Sequence, residues 1–138
     1  MKLYTTRLKP NEDLRIGLLR FAKKQNILAG SIVTCVGSLD SATLRMAGAT
    51  ADNQQIETYS EPFEIVSLVG TIMNGYCHLH ITLSKADGSV IGGHLKDGSL
   101  ISTTAEVTII EDRSVVFTRE PDQKTGFGEL AIHPRHEA

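Results

Sequence analysis

The clearest structural signal in this chain is a β-hairpin pattern in residues 78–95, HLHITLSKADGSVIGGHL. Alternation along its first half places His78 and His80 on one face and the leucine and isoleucine side chains between and after them on the other. The turn-forming residues KADG separate this run from a second run that is rich in apolar residues. The segment therefore predicts two antiparallel strands joined by a short turn.

The length of the turn decides which residues of the two strands face one another. A two-residue turn at Asp87–Gly88 would pair His80 with Leu95, and it would mix polar and apolar side chains on both faces. A three-residue loop, residues 86–88, puts its glycine in the left-handed position that such loops require and pairs His80 with His94. We predict the second register because it leaves one face apolar for the core.

This register brings together three of the five histidines of the chain. His80 and His94 would face each other with Cβ atoms about 4.5–5.5 Å apart, and His78 would lie one step along the same face. Three neutral imidazoles are the ligands of a zinc site with an open position, and nickel, copper and iron also accept such ligands. We predict a site for zinc or another divalent transition metal. The alternative is a polar strand face whose histidines bond to neighbours or to water.

One segment has the period of a helix, and nearly all others have that of strands. Leu14, Leu18, Phe21 and Ala22 fall on one helical face, with Asn11 as the expected N-cap. The apolar run at 63–73 is dense enough to predict cover on both faces of its strand. A break is expected at residues 37–41. We predict an α+β fold in a single domain, 1–138, in which one principal helix packs on a mainly antiparallel sheet.

Composition restricts the partners of the chain. The formal net charge of −2, the isoelectric point near 6.2 and the 5% of aromatic residues do not suit a basic nucleic-acid surface or a base-stacking platform. The N-terminus has no apolar signal-peptide core, and no run reaches the roughly 20 apolar residues of a membrane span. We therefore expect a cytoplasmic protein with no membrane association. Cys35 and Cys77 lie in apolar runs and are expected to be buried free thiols.

A few further polar residues are candidates for the site. Glu106 could orient an imidazole as a carboxylate behind the metal ligands, or it could pair with Arg45. Asp97 is a candidate general base, although an Asp-Gly pair is also a turn signal. Arg45 is a candidate anchor for an anion. His133 and His136 fit a solvated tail that could add a ligand.

Three segments, taken in order, resemble a known family, the plants-and-prokaryotes-conserved (PPC) domain. They are GSIVTCVGSLDSATLR at 30–45, EPFEIVSLVGTI at 61–72 and GSVIGGHLKDGSLISTTAEVTI at 88–109. The helical segment at 12–27 also fits, so the resemblance covers nearly the whole chain. It implies an α/β domain with an antiparallel sheet that assembles as a homotrimer.

In plants this domain follows an AT-hook that binds the DNA minor groove, while the domain itself oligomerises and recruits partners. The plant partner segment Gly-Arg-Phe-Glu-Ile-Leu matches residues 61–66, with departures at Glu61 and Pro62. The resemblance thus offers Phe63, Glu64, Ile65 and Val66 as partner-contact candidates. The chain has no Arg-Gly-Arg-Pro hook and is similar to stand-alone prokaryotic members, some of which carry a metal between such histidines.

Three functions remain open on this evidence. The first is a homotrimeric regulatory module, associated with DNA, in which the metal is structural. The second is a metal-dependent enzyme of hydrolase or lyase type that acts on a small molecule. The third is a module that senses a metal or a ligand.

Overall fold

The computed structural model describes residues 1–136, which form two antiparallel sheets and one α-helix. The helix is α1 (Leu14–Lys24). The strands are β1 (Lys2–Leu8), β2 (Gly30–Leu39), β3 (Ala42–Arg45), β4 (Ile56–Tyr59), β5 (Phe63–Met73), β6 (Tyr76–Ser84), β7 (Val90–Leu95), β8 (Ile101–Glu111), β9 (Val115–Pro121) and β10 (Gly128–Pro134). The main sheet has the order β1-β8-β2-β5-β6-β7-β3-β4, and β9 and β10 form a separate hairpin. The predicted α+β class is confirmed.

The helix packs on the central strands β5 and β6 through its apolar face. Leu14, Leu18 and Ala22 are fully buried there, as the helical period predicts. Together with the inward side chains of the main sheet they form the hydrophobic core. Among the described residues, no helix has the length and hydropathy needed to cross a bilayer.

The helix begins later than the sequence suggested. Asp13, not Asn11, is the N-cap, and its carboxylate accepts a hydrogen bond from the Ile16 amide at 3.0 Å. Asn11 has a φ of 70° in the preceding turn, and its amide donates to the Ile101 carbonyl. The prediction of Asn11 as the cap was wrong because this bond to β8 holds the chain in a turn until Asp13.

The β6–β7 hairpin has the predicted register. His80 pairs with His94, Thr82 with Gly92 and Leu83 with Ile91, each pair directly opposite. The loop is closed by a hydrogen bond from the Lys85 amide to the Ser89 carbonyl, and Gly88 has a φ of 83°. The apolar face is buried, with Leu79, Ile81 and Leu83 at most 2% exposed. The polar face, which carries the histidines, therefore lies on the side of the sheet that faces away from the core.

Two details of the strands differ from the prediction. β2 runs without interruption through Gly37 and ends at Leu39, so the break is two residues long and not five. A Cβ atom at position 37 would lie 2.0 Å from the Thr104 carbonyl oxygen, so the glycine permits close pairing there and does not end the strand. β5 is covered on one face only, because Val66 and Val69 are 57% and 55% exposed.

The β9–β10 hairpin is joined to the main sheet beside its open face. The Phe117 amide donates to the Leu28 carbonyl, and Arg119 Nη2 lies 3.4 Å from Thr71 Oγ1. Thr71 is the cross-strand partner of His78, so its side chain shares the face of the histidines. The hairpin thus supplies one wall to the region around His78.

Candidate metal centre

His78, His80 and His94 meet on the open face of the main sheet. The ring centroids of the three pairs are 5.0, 5.1 and 5.6 Å apart. Each ring offers one nitrogen atom such that the three atoms lie within 4.8 Å of one another. The period of β6 sets two of these positions and the three-residue loop sets the third, so local sequence accounts for the whole group.

The spacing of the first two nitrogens suits a tetrahedral ion. His78 Nε2 and His80 Nε2 are 3.3 Å apart. Two nitrogens at the usual Zn–N distance of about 2.05 Å, separated by a tetrahedral angle, lie about 3.3 Å from each other. The donor set and its spacing therefore fit zinc.

The environment favours the neutral form of His78 and of His94. Burial is the main reason that the pKa of His94 falls to about 3, and the positive charge of Arg45 adds to it. Burial also lowers the pKa of His78, with His80, Arg119 and Arg45 acting in the same direction. Neutral rings hold the lone pairs that a metal ion needs.

Arg45 contacts one of the histidines directly. Its Nη2 lies 3.3 Å from Nδ1 of His94, its cross-strand partner. Since a guanidinium only donates, Nδ1 of His94 accepts in this contact and the proton of the neutral ring is on Nε2. The candidate Arg45 thus lies in the site.

A cleft opens beside the histidines. It has a volume of about 420 Å³ and is large enough for a small molecule. Its lining includes Arg45, Met46, His80, Thr82, Gly92 and His94. A Cβ atom at Gly92 would lie 2.7 Å from the carbonyl oxygen of Ile81, so close strand pairing keeps this part of the cleft wall free of a side chain.

The other carboxylate candidates lie outside this region. Glu106 pairs with Val36 of β2, so β2 and β5 separate its strand from β6, about 14 Å away at the usual strand spacing. Its carboxylate accepts a hydrogen bond from Thr104. Asp97 forms an ion pair with Arg15 of α1 at 2.9 Å. Neither carboxylate contacts the three imidazoles.

Sequence reasoning missed four residues that border the histidines. One of them, Tyr76, lies before His78 on β6. Arg119, Phe127 and Glu129 belong to the β9–β10 region. They line a small cavity together with His78, His94 and Arg45. The alternation of β9 indicates which face Arg119 occupies, but no local pattern states where a separate hairpin docks.

The remaining candidates lie in other surroundings. Phe63 and Ile65 are 2% and 6% exposed and belong to the core, whereas Glu64 and Val66 reach the surface. Cys35 and Cys77 are free and buried, as predicted. His133 contacts Glu120 on the neighbouring strand, and His136 is exposed.

Comparisons with known proteins agree with this architecture. The model of the Plants and Prokaryotes Conserved (PCC) domain matches residues 1–112. The bifunctional protein GlmU of Synechococcus sp. strain JA-2-3B'a(2-13) is 42% identical over 134 residues, which are 97% of this chain and 21% of that protein. The chain thus spans about a fifth of the length of the curated relatives it matches.

Three solved structures share the fold at more than 25% identity. A hypothetical protein of Salmonella enterica has a TM-score of 0.91 and 33% identity, with 98% of this chain and 95% of that chain covered. A metal-containing protein of Archaeoglobus fulgidus has a TM-score of 0.83 and 27% identity, covering 95% and 94%. A Bacteroides thetaiotaomicron protein whose proposed role is DNA binding has a TM-score of 0.81 and 28% identity, covering 94% and 91%. With a family model that matches four fifths of its length, this chain belongs to the Plants and Prokaryotes Conserved domain family.

Proposed function

We propose that this chain binds a divalent transition metal ion, zinc before others, through His78, His80 and His94. The observation that carries the proposal is the convergence of three imidazole nitrogens within 4.8 Å. The lowered pKa values of His78 and His94, and the 3.3 Å separation of the Nε2 atoms of His78 and His80, suit the ligand set of zinc. A metal-containing protein with the same fold, from Archaeoglobus fulgidus, adds support.

Elemental analysis of protein purified without an affinity tag tests this proposal. We expect about one metal ion per chain in the wild type and less than about a tenth of that in His94→Ala, because two imidazoles hold zinc far more weakly than three. The matched control is His133→Ala, which removes a histidine outside the group and should keep the metal. A wild-type protein that neither carries metal nor binds added zinc would refute the proposal.

The chain is also proposed to assemble as a homotrimer. Four valines on the central strands β2 and β5 are 54–58% exposed, namely Val33, Val36, Val66 and Val69. Val69 pairs with His80, so at least part of this valine patch lies on the same open face as the histidines. Exposed apolar patches on central strands mark interaction surfaces, and the apolar density of β5 is that of a strand covered on both faces. A second copy of the chain would supply this cover.

A metal-dependent enzyme of hydrolase or lyase type is the second candidate function, favoured by the cleft of about 420 Å³ beside His80 and His94. A zinc ion held by three imidazoles keeps a position for water or substrate, and it ionises bound water near neutral pH. The visible spectrum of cobalt-loaded protein tests for this position. Added azide should change the spectrum if the fourth ligand exchanges. An unchanged spectrum would indicate a saturated structural ion.

DNA association, proposed for the Bacteroides relative, has weaker support in this chain. The formal net charge is −2, whereas sequence-independent DNA binding requires many lysine and arginine contacts to phosphates. We expect no shift of duplex DNA in a gel at low salt, where such affinity is greatest. A shift that disappears with added salt would restore the DNA-associated role.

A further inference from the structure

Two arginines border the histidines, and within residues 1–136 neither forms an ion pair with a carboxylate. Arg45 lies on β3 beside His94, and Arg119 lies on β9 with its guanidinium 4.3 Å from the centre of the Tyr76 ring. Within residues 1–136, all ion pairs closer than 4.0 Å involve other cations. Arg119 Nε is buried and makes no hydrogen bond. Arginines near a cavity without a counter-charge are available for an anion.

The two arginines line the same small cavity. It has a volume of about 70 Å³, and its walls also include His78, His94 and Glu129. Since one water molecule takes about 30 Å³, this space accommodates a group the size of a carboxylate or phosphate. The larger cleft of about 420 Å³ shares Arg45 and His94 with this cavity and leaves room for the rest of a small molecule.

The charges around the cavity favour an anion. Arg45 stacks 5.1 Å from the centre of the Phe127 ring and Arg119 stacks on Tyr76, so both guanidinium groups keep their in-plane N–H donors. One donor of Arg45 contacts His94 and one donor of Arg119 contacts Thr71, and the others are available to an anion. Among the described residues that line the cavity, Glu129 is the one with a carboxylate. Two positive charges against one negative charge leave an excess of +1, which a divalent ion at the histidines would raise to +3.

Metal binding would also release Arg45. If His94 binds the ion through Nδ1, the metal takes the lone pair that now accepts from Arg45. If His94 binds through Nε2, the proton moves to Nδ1, which can then no longer accept from a guanidinium. Either coordination breaks the 3.3 Å contact and frees the donors of Arg45.

We propose that Arg45, Arg119 and the metal ion together bind the oxyanion group of a small molecule, a phosphate or a carboxylate, and that metal loading frees Arg45 to do so. This inference rests on the proposed metal site and names the class of its ligand. It assigns Arg119, on the docked hairpin, to ligand binding.

Isothermal titration of zinc-loaded and zinc-free protein with inorganic phosphate, and separately with malonate, tests the inference. We expect binding to the zinc-loaded protein and an affinity at least about tenfold lower without zinc, because the ion and the freed Arg45 both act on the anion. The tighter of the two probes identifies the headgroup. Arg119→Gln should weaken binding to the zinc-loaded protein by about tenfold, which is the contribution of one charge-assisted hydrogen bond.

Two further variants make the result specific. Arg119→Lys keeps the charge and should retain more of the affinity than Arg119→Gln, and thermal unfolding shows whether each variant is folded. Arg20→Gln on α1 is the matched control, because Arg20 lines neither the cavity nor the cleft beside the histidines. This variant should bind as the wild type does. Zinc content is measured in every sample.

The outcomes separate the two proposals. A wild type that neither carries metal nor binds added zinc refutes the metal site and the inference with it. Zinc-loaded wild type that binds neither anion below about 10 mM, or Arg119→Gln that binds as tightly as the wild type, refutes the inference and leaves the metal site standing.

Discussion

At the scale of single residues, the buried carboxylate of Glu111 links several elements of the fold. It accepts hydrogen bonds from the Tyr4 hydroxyl on β1, the Leu28 amide before β2 and Arg113 after β8, and Arg135 lies 3.6 Å away. Burial alone would raise the pKa of this carboxyl, but these hydrogen bonds hold it below its usual value. The ionised form is therefore the one that stabilises the fold.

Glu111→Gln should lower the free energy of unfolding by about 2 kcal/mol at pH 7, because an amide cannot accept all of these bonds. The pKa of Glu111 is lower in the folded than in the unfolded state, where it is about 4.3. The advantage of the wild type is thus complete above pH 5 and is lost as the pH falls through the folded pKa. Urea unfolding of both proteins at several pH values measures this difference in the free energy of unfolding.

Glu57→Gln on the exposed edge strand β4 is the control for this variant. Its stability should stay within about 0.5 kcal/mol of the wild type at every pH. A constant difference between wild type and Glu111→Gln from pH 3 to pH 7 would contradict the proposed role of the ionised carboxylate.

At the scale of elements, a single glycine sets how closely β5 and β6 approach. Gly70 has a φ of 139°, and a Cβ atom there would lie 2.0 Å from the carbonyl oxygen of His78. Both the conformation and the contact exclude a side chain. Because His78 and His80 are carried by β6, this glycine also positions the metal ligands.

Gly70→Ala should lower the free energy of unfolding by at least about 3 kcal/mol and weaken zinc binding, since β6 must shift to admit the methyl group. Gly75→Ala is a matched control: its φ is 91°, but nothing lies within 4 Å of the added Cβ. It should cost only about 1 kcal/mol and leave zinc affinity unchanged. Equal losses in the two variants would show that backbone conformation alone, and not close approach, explains the glycine.

The helix N-terminus is tied to the sheet by one side chain. Asp13 accepts from the Ile16 amide at 3.0 Å and from the Gly98 amide at 2.6 Å. Asp13→Ala should lower Tm by about 5 °C, because it removes the cap and the bond to the loop after β7. Differential scanning calorimetry measures this, with the exposed Asp52→Ala as the control. An unchanged Tm would show that the cap contributes nothing.

At the scale of the whole molecule, the exposed valine patch predicts self-association. If the proposed trimer forms, Val36→Glu should convert it to monomers in light scattering after size exclusion, because an interface that buries this position would have to bury an unpaired charge. Leu3→Glu on the edge strand β1, at an equally exposed apolar position, should remain trimeric. A wild type that is monomeric at micromolar concentration would refute the assembly.

The sequence by itself determined the local structure. Period two in β6 and the residues of the three-residue loop specify which side chains of the β6–β7 hairpin face each other, so the group of three histidines follows from local rules. The position of α1 follows in the same way from its helical period. The N-cap of α1 does not follow from local sequence, because the hydrogen bond from Asn11 to β8 is a long-range contact.

Only the tertiary structure decided what surrounds the histidines. Arg119 is 39 residues beyond His80, and its place in the site depends on how the β9–β10 hairpin docks through contacts such as that to Thr71. Glu106 satisfied the same local pattern as the histidines yet lies three strands away, because strand order is not encoded in the period of a single strand. Register is a local property of neighbouring residues, whereas strand order and docking come from packing summed over the whole core.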